Sequence, residues 1–448
     1  MKIKRITIGN FKNLAETSLD LTSMIALVSP NNYGKSNLLE AIRFAFNFIS
    51  ASAKERNNMM HWGRAIPLSS SLAGMDFIFS VEIDAPELEE YRFIRYGFNF
   101  SWYNDQNTGA VITDEFIEMR HTESVRYTAY LKRDKGLYRA GKSKSGFRKI
   151  ALLSDVLAID VLSSFTDIEI SQVVHCIKNL GYRMCNTLEL DGSFNPSPIE
   201  FESDAKSSLA FDDNDIPRAL SVLSKEKPEQ FDLFIETIYD LFPEFSHIEL
   251  NSYTLKGKAP TIKAFLVSTL EETNEKNKEE ITDKLPYHIK DEIYRLIIHS
   301  KYLNQPISME HMSTGTKRIF WLIANAIFGG CYDANLLGVD EIETSIHPKM
   351  IRALLEALCD ILQDTSMIIT SHSPYLIQYL KPEAIYVGLP NDEGVATFRK
   401  INPSKIKSLI SITRDLETSI GEYLFELMSG DEDSALILSA YLEGGCDD

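Results

Sequence analysis

An apolar run at residues 24–28 leads through Ser29-Pro30-Asn31-Asn32-Tyr33-Gly34-Lys35-Ser36 into residues 37–49, where apolar side chains recur at helical spacing. No other stretch restricts the fold as much. A short apolar run bounded by turn residues reads as a buried strand, and a period near 3.6 reads as a helix. The loop therefore joins a strand to a helix N-terminus. Backbone N–H groups at such a terminus point into the loop, and the helix dipole favours an anion there. The pattern G-x-x-x-x-G-K-[ST] is met except at its first position, where Ser29 stands in place of Gly. In that pattern the lysine, here Lys35, reaches the outer phosphates of a nucleotide, and the hydroxyl, here Ser36, ligates Mg2+.

Three downstream segments complete a set. Residues 335–341 form an apolar strand ending in Asp340 and Glu341. Neighbouring strand residues face opposite ways, so Asp340 is placed for the metal and Glu341 for the attacking water. Glu343 reads as a solvated or helix-capping charge. Residues 366–370 form another apolar strand that leads to His372, a residue able to hydrogen-bond a γ-phosphate and so report its presence. Ser313-Thr314-Gly315-Thr316-Lys317 precedes an apolar helix at 319–328, which makes either an ordinary N-cap or a second anion site. One strand–helix unit does not need two phosphate cradles. The second would then serve a nucleotide held by another subunit.

Together these residues resemble the ABC-type ATPase head (a P-loop NTPase) of the SMC, RecF and OLD group, close to the AAA15/AAA21-like ATPases. Asn10-Phe11-Lys12 resembles the N-F-[KR] start of that group, and Pro30 to Ala41 its Walker A segment and following helix. Met312 to Arg318 resembles the signature motif. Asp340-Glu341-Ile342-Glu343-Thr344-Ser345-Ile346-His347-Pro348 resembles the D-E-x-E-x-x-[LI]-H-P form of Walker B, and Ser371-His372-Ser373-Pro374 the H-loop. The resemblance implies an α/β fold whose ATPase head is built from N- and C-terminal segments, with ATP and Mg2+ as ligands. It implies nucleotide contacts from Lys12, Asn31, Asn32, Tyr33, Gly34, Lys35, Ser36 and Asn37, metal contacts from Ser36 and Asp340, and catalysis by Glu341, His372 and Lys35. It further implies head-to-head homodimers in which Ser313, Gly315 and Thr316 act in trans. The Q-loop is not placed by the sequence; Gln106, in a polar turn, is a weak candidate.

Composition narrows the setting. A chain of 448 residues is long enough for two or three domains with ample cores. Its five cysteines show no paired spacing, so neither a zinc site nor a disulfide framework is expected. The N-terminus reads as a strand rather than a signal peptide, and no apolar run is long enough to span a bilayer, so a cytoplasmic location is expected. A net charge of −18 opposes general adhesion to nucleic acid. Against that background, Lys132, Arg133, Lys135, Arg139, Lys142, Lys144, Arg148 and Lys149 cluster with Tyr138 and Phe147 between them. The stretch reads either as a nucleic-acid contact or as a solvated basic hairpin that meets an acidic partner. Residues 415–448 carry acids and no Lys or Arg, yet keep helical apolar stripes through Tyr423, Leu424, Leu427, Leu436, Ile437 and Leu438. A protein-docking or packing role suits them better than nucleic acid.

The expected organisation is an N-terminal lobe at 1–149, a mainly helical insertion at 150–304 as a candidate dimerisation element, a C-terminal lobe at 305–400, and a helical acidic tail at 401–448. No sustained heptads appear, so no long coiled-coil arm is expected. Asp431-Glu432-Asp433 reads as a loop between helices rather than a nuclease metal site, and no intrinsic nuclease is expected. Three functional classes follow. The first is a regulatory ATPase that controls a separate effector, a nuclease or toxin, in anti-phage defence, resembling the ATPase subunits of the PARIS and Septu systems. The second is a RecF-like DNA-repair clamp. The third is an ATP-binding scaffold with little turnover.

Overall fold

The structure, a computed structural model, describes residues 1–67, 69–104, 108–139, 146–165, 169–185, 190–195, 199–201, 215–254, 287–290, 292–332, 334–390 and 393–444. Gln106, Lys142, Lys144 and Cys446, and the charged stretch 270–283, lie outside the described residues. The chain divides into two compact units. The first comprises Met1–Cys185, Asp333–Thr344 and Leu358–Asp448; the second comprises Asn186–Tyr332 and Ser345–Ala357.

The first unit contains two sheets. One is an eight-stranded antiparallel sheet in the order Thr17–Asp20, Lys2–Gly9, Phe77–Asp84, Phe93–Ser101, Val111–Arg120, Thr128–Lys132, Leu137–Tyr138, Arg148–Lys149. Its strands alternate buried and less buried residues, as in Phe77, Phe79 and Val81, the period-2 signal of a sheet with one face on the core. The other sheet has six strands in the order Gly181–Cys185, Ala334–Val339, Ser366–Ser371, Met24–Val28, Ile385–Pro390, Ala396–Lys400. All its pairings are parallel except the last. Its central strands Met24–Val28, Ala334–Val339 and Ser366–Ser371 are buried at every position, which is why they show apolar stretches without alternation.

Helix Lys35–Ser50 packs against strands of both sheets. Phe44 and Phe48 from this helix meet Phe77, Phe98 and Phe100 of the antiparallel sheet, and Trp102 just beyond it, at ring distances of 4.9 to 6.1 Å. Phe11 enters the same cluster, 5.4 Å from Phe44 and fully buried. Burial of each such ring contributes on the order of 2–3 kcal/mol.

Residues 150–304 contribute to both units, and strands accompany the helices there. Helices Ala158–Leu162 and Ile170–Lys178 and the Gly181–Cys185 strand belong to the first unit. In the second unit, strands Phe245–Thr254, Glu292–Ser300 and Ile307–Ser308 form an antiparallel sheet. Helices Ile216–Glu226, Pro228–Leu241 and Thr314–Cys331 accompany it. Phe234, Phe242 and Phe245 surround Phe320 at 5.9 to 6.2 Å. The expected insertion boundary at 150 therefore moves. The Gly181–Cys185 strand completes the parallel sheet by pairing with Ala334–Val339, a partner far away in sequence.

The C-terminal residues fold as helices Ile406–Asp415, Ile420–Ser429 and Glu432–Ala440. Asp431 caps the last of these, accepting from the Ser434 N–H at 3.1 Å and the Ser434 hydroxyl at 2.9 Å. Leu424, Leu427 and Leu438 are buried, whereas Leu436 is 70% exposed and Ile437 46%. Among the described residues, Cys176, Cys185, Cys331 and Cys359 form no disulfide. Among the described residues no helix is long and apolar enough to cross a membrane.

Candidate active site

The parallel sheet brings three of the four sequence segments together. Strands Met24–Val28, Ser366–Ser371 and Ala334–Val339 lie side by side and run the same way, with Val28 opposite Ser371 and Val339 opposite Ile369. The loop 29–36, the Asp340–Glu341 pair and His372 therefore all emerge at the carboxyl edge of one sheet. This is where ligands bind in open α/β sheets.

Lys35 begins helix Lys35–Ser50, and Gly34 caps it in the left-handed region at φ 96°. A side chain at Gly34 would be strained by that backbone and would meet Ala396 Cβ at 2.8 Å. Asn31 and Asn32 are exposed at the loop tip, with Asn32 also left-handed at φ 65°, and Tyr33 is half-buried. Ser29, the departure from the glycine pattern, is fully buried. Room for it comes from the neighbouring strand, where a Cβ added to Gly388 would lie 2.9 Å from Ser29 Cβ.

The Lys35 ammonium donates to Ser29 O at 2.8 Å and Pro30 O at 3.1 Å, and lies 3.3 Å from both Ser29 Oγ and His372 Nδ1. Burial lowers its pKa to about 8, against the opposing pull of Asp340, Glu341 and Glu343. With Lys35 as donor, His372 Nδ1 accepts, so the ring proton sits on Nε2, which faces Glu341 Oε1 at 3.7 Å. Burial and the Lys35 charge both lower the His372 pKa and favour this neutral form.

Ser36 Oγ donates to Asp340 Oδ2 at 2.8 Å, and Thr370 Oγ1 donates to Asp340 Oδ1 at 2.5 Å. A hydroxyl and a carboxylate converging at the phosphate loop form the oxygen donor set that a hard divalent cation takes. The chemistry of these donors fits Mg2+, for which Ser36 and Asp340 would be the ligands. Glu341 adopts a left-handed backbone at φ 48°, a cost of on the order of 1–2 kcal/mol for a non-glycine residue. Its N–H donates to Thr370 Oγ1 at 2.8 Å, and its side chain stays half exposed beside the loop. A general base needs that accessibility.

Glu343 does not behave as the solvated or capping charge expected of it. Its Oε1 accepts from the His372 N–H at 2.7 Å and from Ser371 Oγ at 2.9 Å. Sequence periodicity could not have found this, because both donors come from a different strand end.

Lys12 and Asn37 are joined to each other and to the helix. Lys12 pairs with Glu40 and lies 3.4 Å from Asn37 Oδ1, while Asn37 donates to Asn13 Oδ1 at 2.8 Å. Asn10 and Lys12 are both left-handed, at φ 58° and 53°, which turns the Asn10-Phe11-Lys12 segment so that Phe11 enters the core while Lys12 faces the helix.

The signature residues belong to the second unit. Ser313 caps helix Thr314–Cys331, accepting from the Thr316 N–H at 3.2 Å, and its hydroxyl lies 2.8 Å from Thr316 Oγ1. A side chain at Gly315 would collide with Ser345 O at 2.5 Å. Ser313 is exposed.

The basic cluster requires a correction. Arg133 is an interior residue, its guanidinium donating to the carbonyls of Ile112, Leu153 and Val156 at 2.7 to 3.1 Å and lying 3.5 Å from the buried Glu115. Strand Thr128–Lys132 ends immediately before it, and the following turn aims it inward. Lys132 is half-buried, Lys135 is exposed, and Arg139 stacks over Phe147 at 4.3 Å.

The family described as "AAA domain, putative AbiEii toxin, Type IV TA system" matches residues 24–378. DNA replication and repair protein RecF from two serovars of Leptospira interrogans serogroup Icterohaemorrhagiae is 44% identical over 64 residues. That alignment covers 14% of this chain and 18% of the RecF length, so the chain spans under a fifth of these curated relatives. Among solved structures, an Smc head bound to the C-winged helix domain of ScpA aligns at a TM-score of 0.49 with 12% identity, covering 91% of this chain and 100% of that one. The SMC head domain from Thermotoga maritima aligns at 0.43 with 10% identity, covering 90% and 100%.

Proposed function

The chain belongs to this family of AAA domains, P-loop ATPases of the SMC/RecF type, and from that premise we propose that it hydrolyses ATP as a head-to-head homodimer and thereby controls a separate effector protein. The observation that supports the reading is the meeting, at one sheet edge, of Ser36 with Asp340 and of His372 with both Lys35 and Glu341.

In this reading the loop 29–36 cradles the phosphates, with Lys35 and the N-terminus of its helix neutralising their charge. Ser36 and Asp340 would hold Mg2+, which when bound would neutralise charge on the terminal phosphates. Glu341 accepts the proton of the attacking water as the new oxygen–phosphorus bond forms and the bond to the β,γ-bridging oxygen breaks. His372 donates its Nε2–H to the γ-phosphate. Ser313, Gly315 and Thr316 of a second copy meet that phosphate from the other side, so the complete site exists only in the closed dimer. ATP then couples to assembly because closure and nucleotide binding share one free energy.

The effector is proposed to be a nuclease or toxin in anti-phage defence. The exposed Leu436 and Ile437 on the acidic C-terminal helices are the proposed docking point. The test is purification from the native host with and without ATP, followed by mass spectrometry. A stoichiometric partner whose retention changes with nucleotide supports the reading; an ATPase that never carries a protein partner removes it. The similarity to RecF favours a second reading, ATP-dependent clamping of DNA. That reading predicts salt-sensitive DNA in the ATP-bound fraction.

A further inference from the structure

We infer that Glu343 is a positioning residue that sets the place of the His372 imidazole, an inference that rests on the ATPase reading above. Four residues, Asp340 to Glu343, leave the Ala334–Val339 strand, and the end of the Ser366–Ser371 strand is bonded to them almost residue by residue. Thr370 Oγ1 takes the Glu341 N–H and donates to Asp340, and Thr370 O accepts from the Ile342 N–H at 3.3 Å. Glu343 continues the series by accepting from Ser371 Oγ and the His372 N–H. Ser371 Oγ in turn accepts from the Ser373 N–H at 2.9 Å. One carboxylate oxygen thus ties down three successive residues of the loop that carries the imidazole.

The division of labour follows from what each bond holds. Thr370 holds the Asp340 carboxylate and the backbone of Glu341. Glu343 fixes the backbone from which His372 extends between Lys35 and Glu341. A neutral acceptor could make the same two bonds. Glu343 is not a second general base. Its Oε1 is occupied by the two donors, and its Oε2 is buried with no hydrogen-bond partner among the described residues. Keeping a carboxylate oxygen buried and unpartnered is unfavourable and is a poor choice for packing alone.

The experiment uses the full chain with Glu343→Ala, Glu343→Gln, His372→Ala and the Glu343→Ala/His372→Ala double variant. Steady-state ATP hydrolysis, affinity for a fluorescent ATP analogue, and deuterium exchange of the peptide covering residues 366–373 are measured. Glu343→Ala should lower kcat about 10–100-fold, the range expected when a catalytic group shifts by about 1 Å. KM and analogue affinity should stay within about threefold, and exchange at Ser371 to Ser373 should accelerate about tenfold or more. The double variant should be no slower than His372→Ala alone, and Glu343→Gln should regain turnover to within about threefold of wild type. Unchanged exchange in Glu343→Ala overturns the proposal. So do independent, multiplicative losses in the double variant, or a Glu343→Gln as impaired as Glu343→Ala. If Glu343→Ala does not fold, Ser371→Ala removes one of the two donors and should give an intermediate loss with the same exchange signature; no change in either readout overturns the proposal. A wild-type chain without turnover would defeat the ATPase reading instead, and the exchange and affinity measurements would still decide the positioning role.

Discussion

Ser36 Oγ donates to Asp340 Oδ2 at 2.8 Å across 304 positions of the chain. Two residues far apart in the sequence meet because the strands that precede them are separated in the sheet only by Ser366–Ser371.

Replacing Glu341 by Gln should lower kcat about a hundredfold or more, the usual contribution of a positioned general base, while ATP affinity is kept. The trapped nucleotide should also hold closed dimers, visible by light scattering with ATP. Unchanged turnover would remove Glu341 from the chemistry.

Ser313→Arg removes the N-cap of helix Thr314–Cys331 and puts a cation at its positive end, so about 1–2 kcal/mol of stability should be lost while the chain still folds. Turnover should be lost with ATP binding intact. Mixing Ser313→Arg with Lys35→Ala should restore part of the activity, because one of the two sites in such a heterodimer is whole. Loss of binding in Ser313→Arg alone would undo the trans assignment.

Gly388 makes room for Ser29. A methyl there would meet Ser29 Cβ at 2.9 Å and the Phe398 ring at 2.7 Å. Gly388→Ala should cost about 1–3 kcal/mol in denaturant unfolding and weaken ATP binding. Adding Ser29→Gly removes one of the two collisions and should recover part of both.

Glu115 offers a pH signature away from the site. Burial pushes its carboxyl from 4.5 up to about 7, although the N–H groups of Ala158 and Ile159, Arg133 and the Tyr96 hydroxyl pull it down. Between those values the folded chain keeps a proton that the unfolded chain has released. The contribution is full below 4.5 and is lost as pH rises through about 7. Urea midpoints should therefore fall across that window, and Glu115→Gln should flatten the slope. An equal slope in the variant would rule Glu115 out as its source.

Leu436→Glu and Ile437→Glu alter exposed positions, so stability should change by less than about 0.5 kcal/mol. Basal ATP hydrolysis should be unaltered while a co-purifying protein is lost. Retention of the partner by the double variant would move the docking point elsewhere.

The parts of the site that were legible in the sequence are those carried by contiguous pattern. The loop 29–36 lies between a strand and a helix, and Asp340, Glu341 and His372 follow fully buried strands, so local apolar runs located all of them. Side-chain direction was not legible. Arg133 stands in a run of cations and reads like its neighbours, yet a strand end and a turn send it into the interior towards Glu115. Glu343 reads as one more acid, because its partners Ser371 and His372 are set by sheet pairing rather than by spacing. For the same reason the Gly181–Cys185 strand, short and carrying a polar Arg183, gave no sign that it joins the parallel sheet.

The order of strands in that sheet also sets a timetable for synthesis. Met24–Val28 is flanked by Ser366–Ser371 and Ile385–Pro390, so both its neighbours are translated late. At about 5–20 residues per second, the nascent chain carries an unpaired, wholly apolar strand for roughly half a minute. The antiparallel strands 2–9, 77–84 and 93–101 can pair meanwhile, but no phosphate loop is held in place until the ribosome has passed residue 371. Pairings so distant in sequence fold slowly and leave open edges exposed. Newly made chains should therefore depend on chaperones for that interval, and chains truncated within the second unit should accumulate as aggregates rather than as nucleotide-binding fragments.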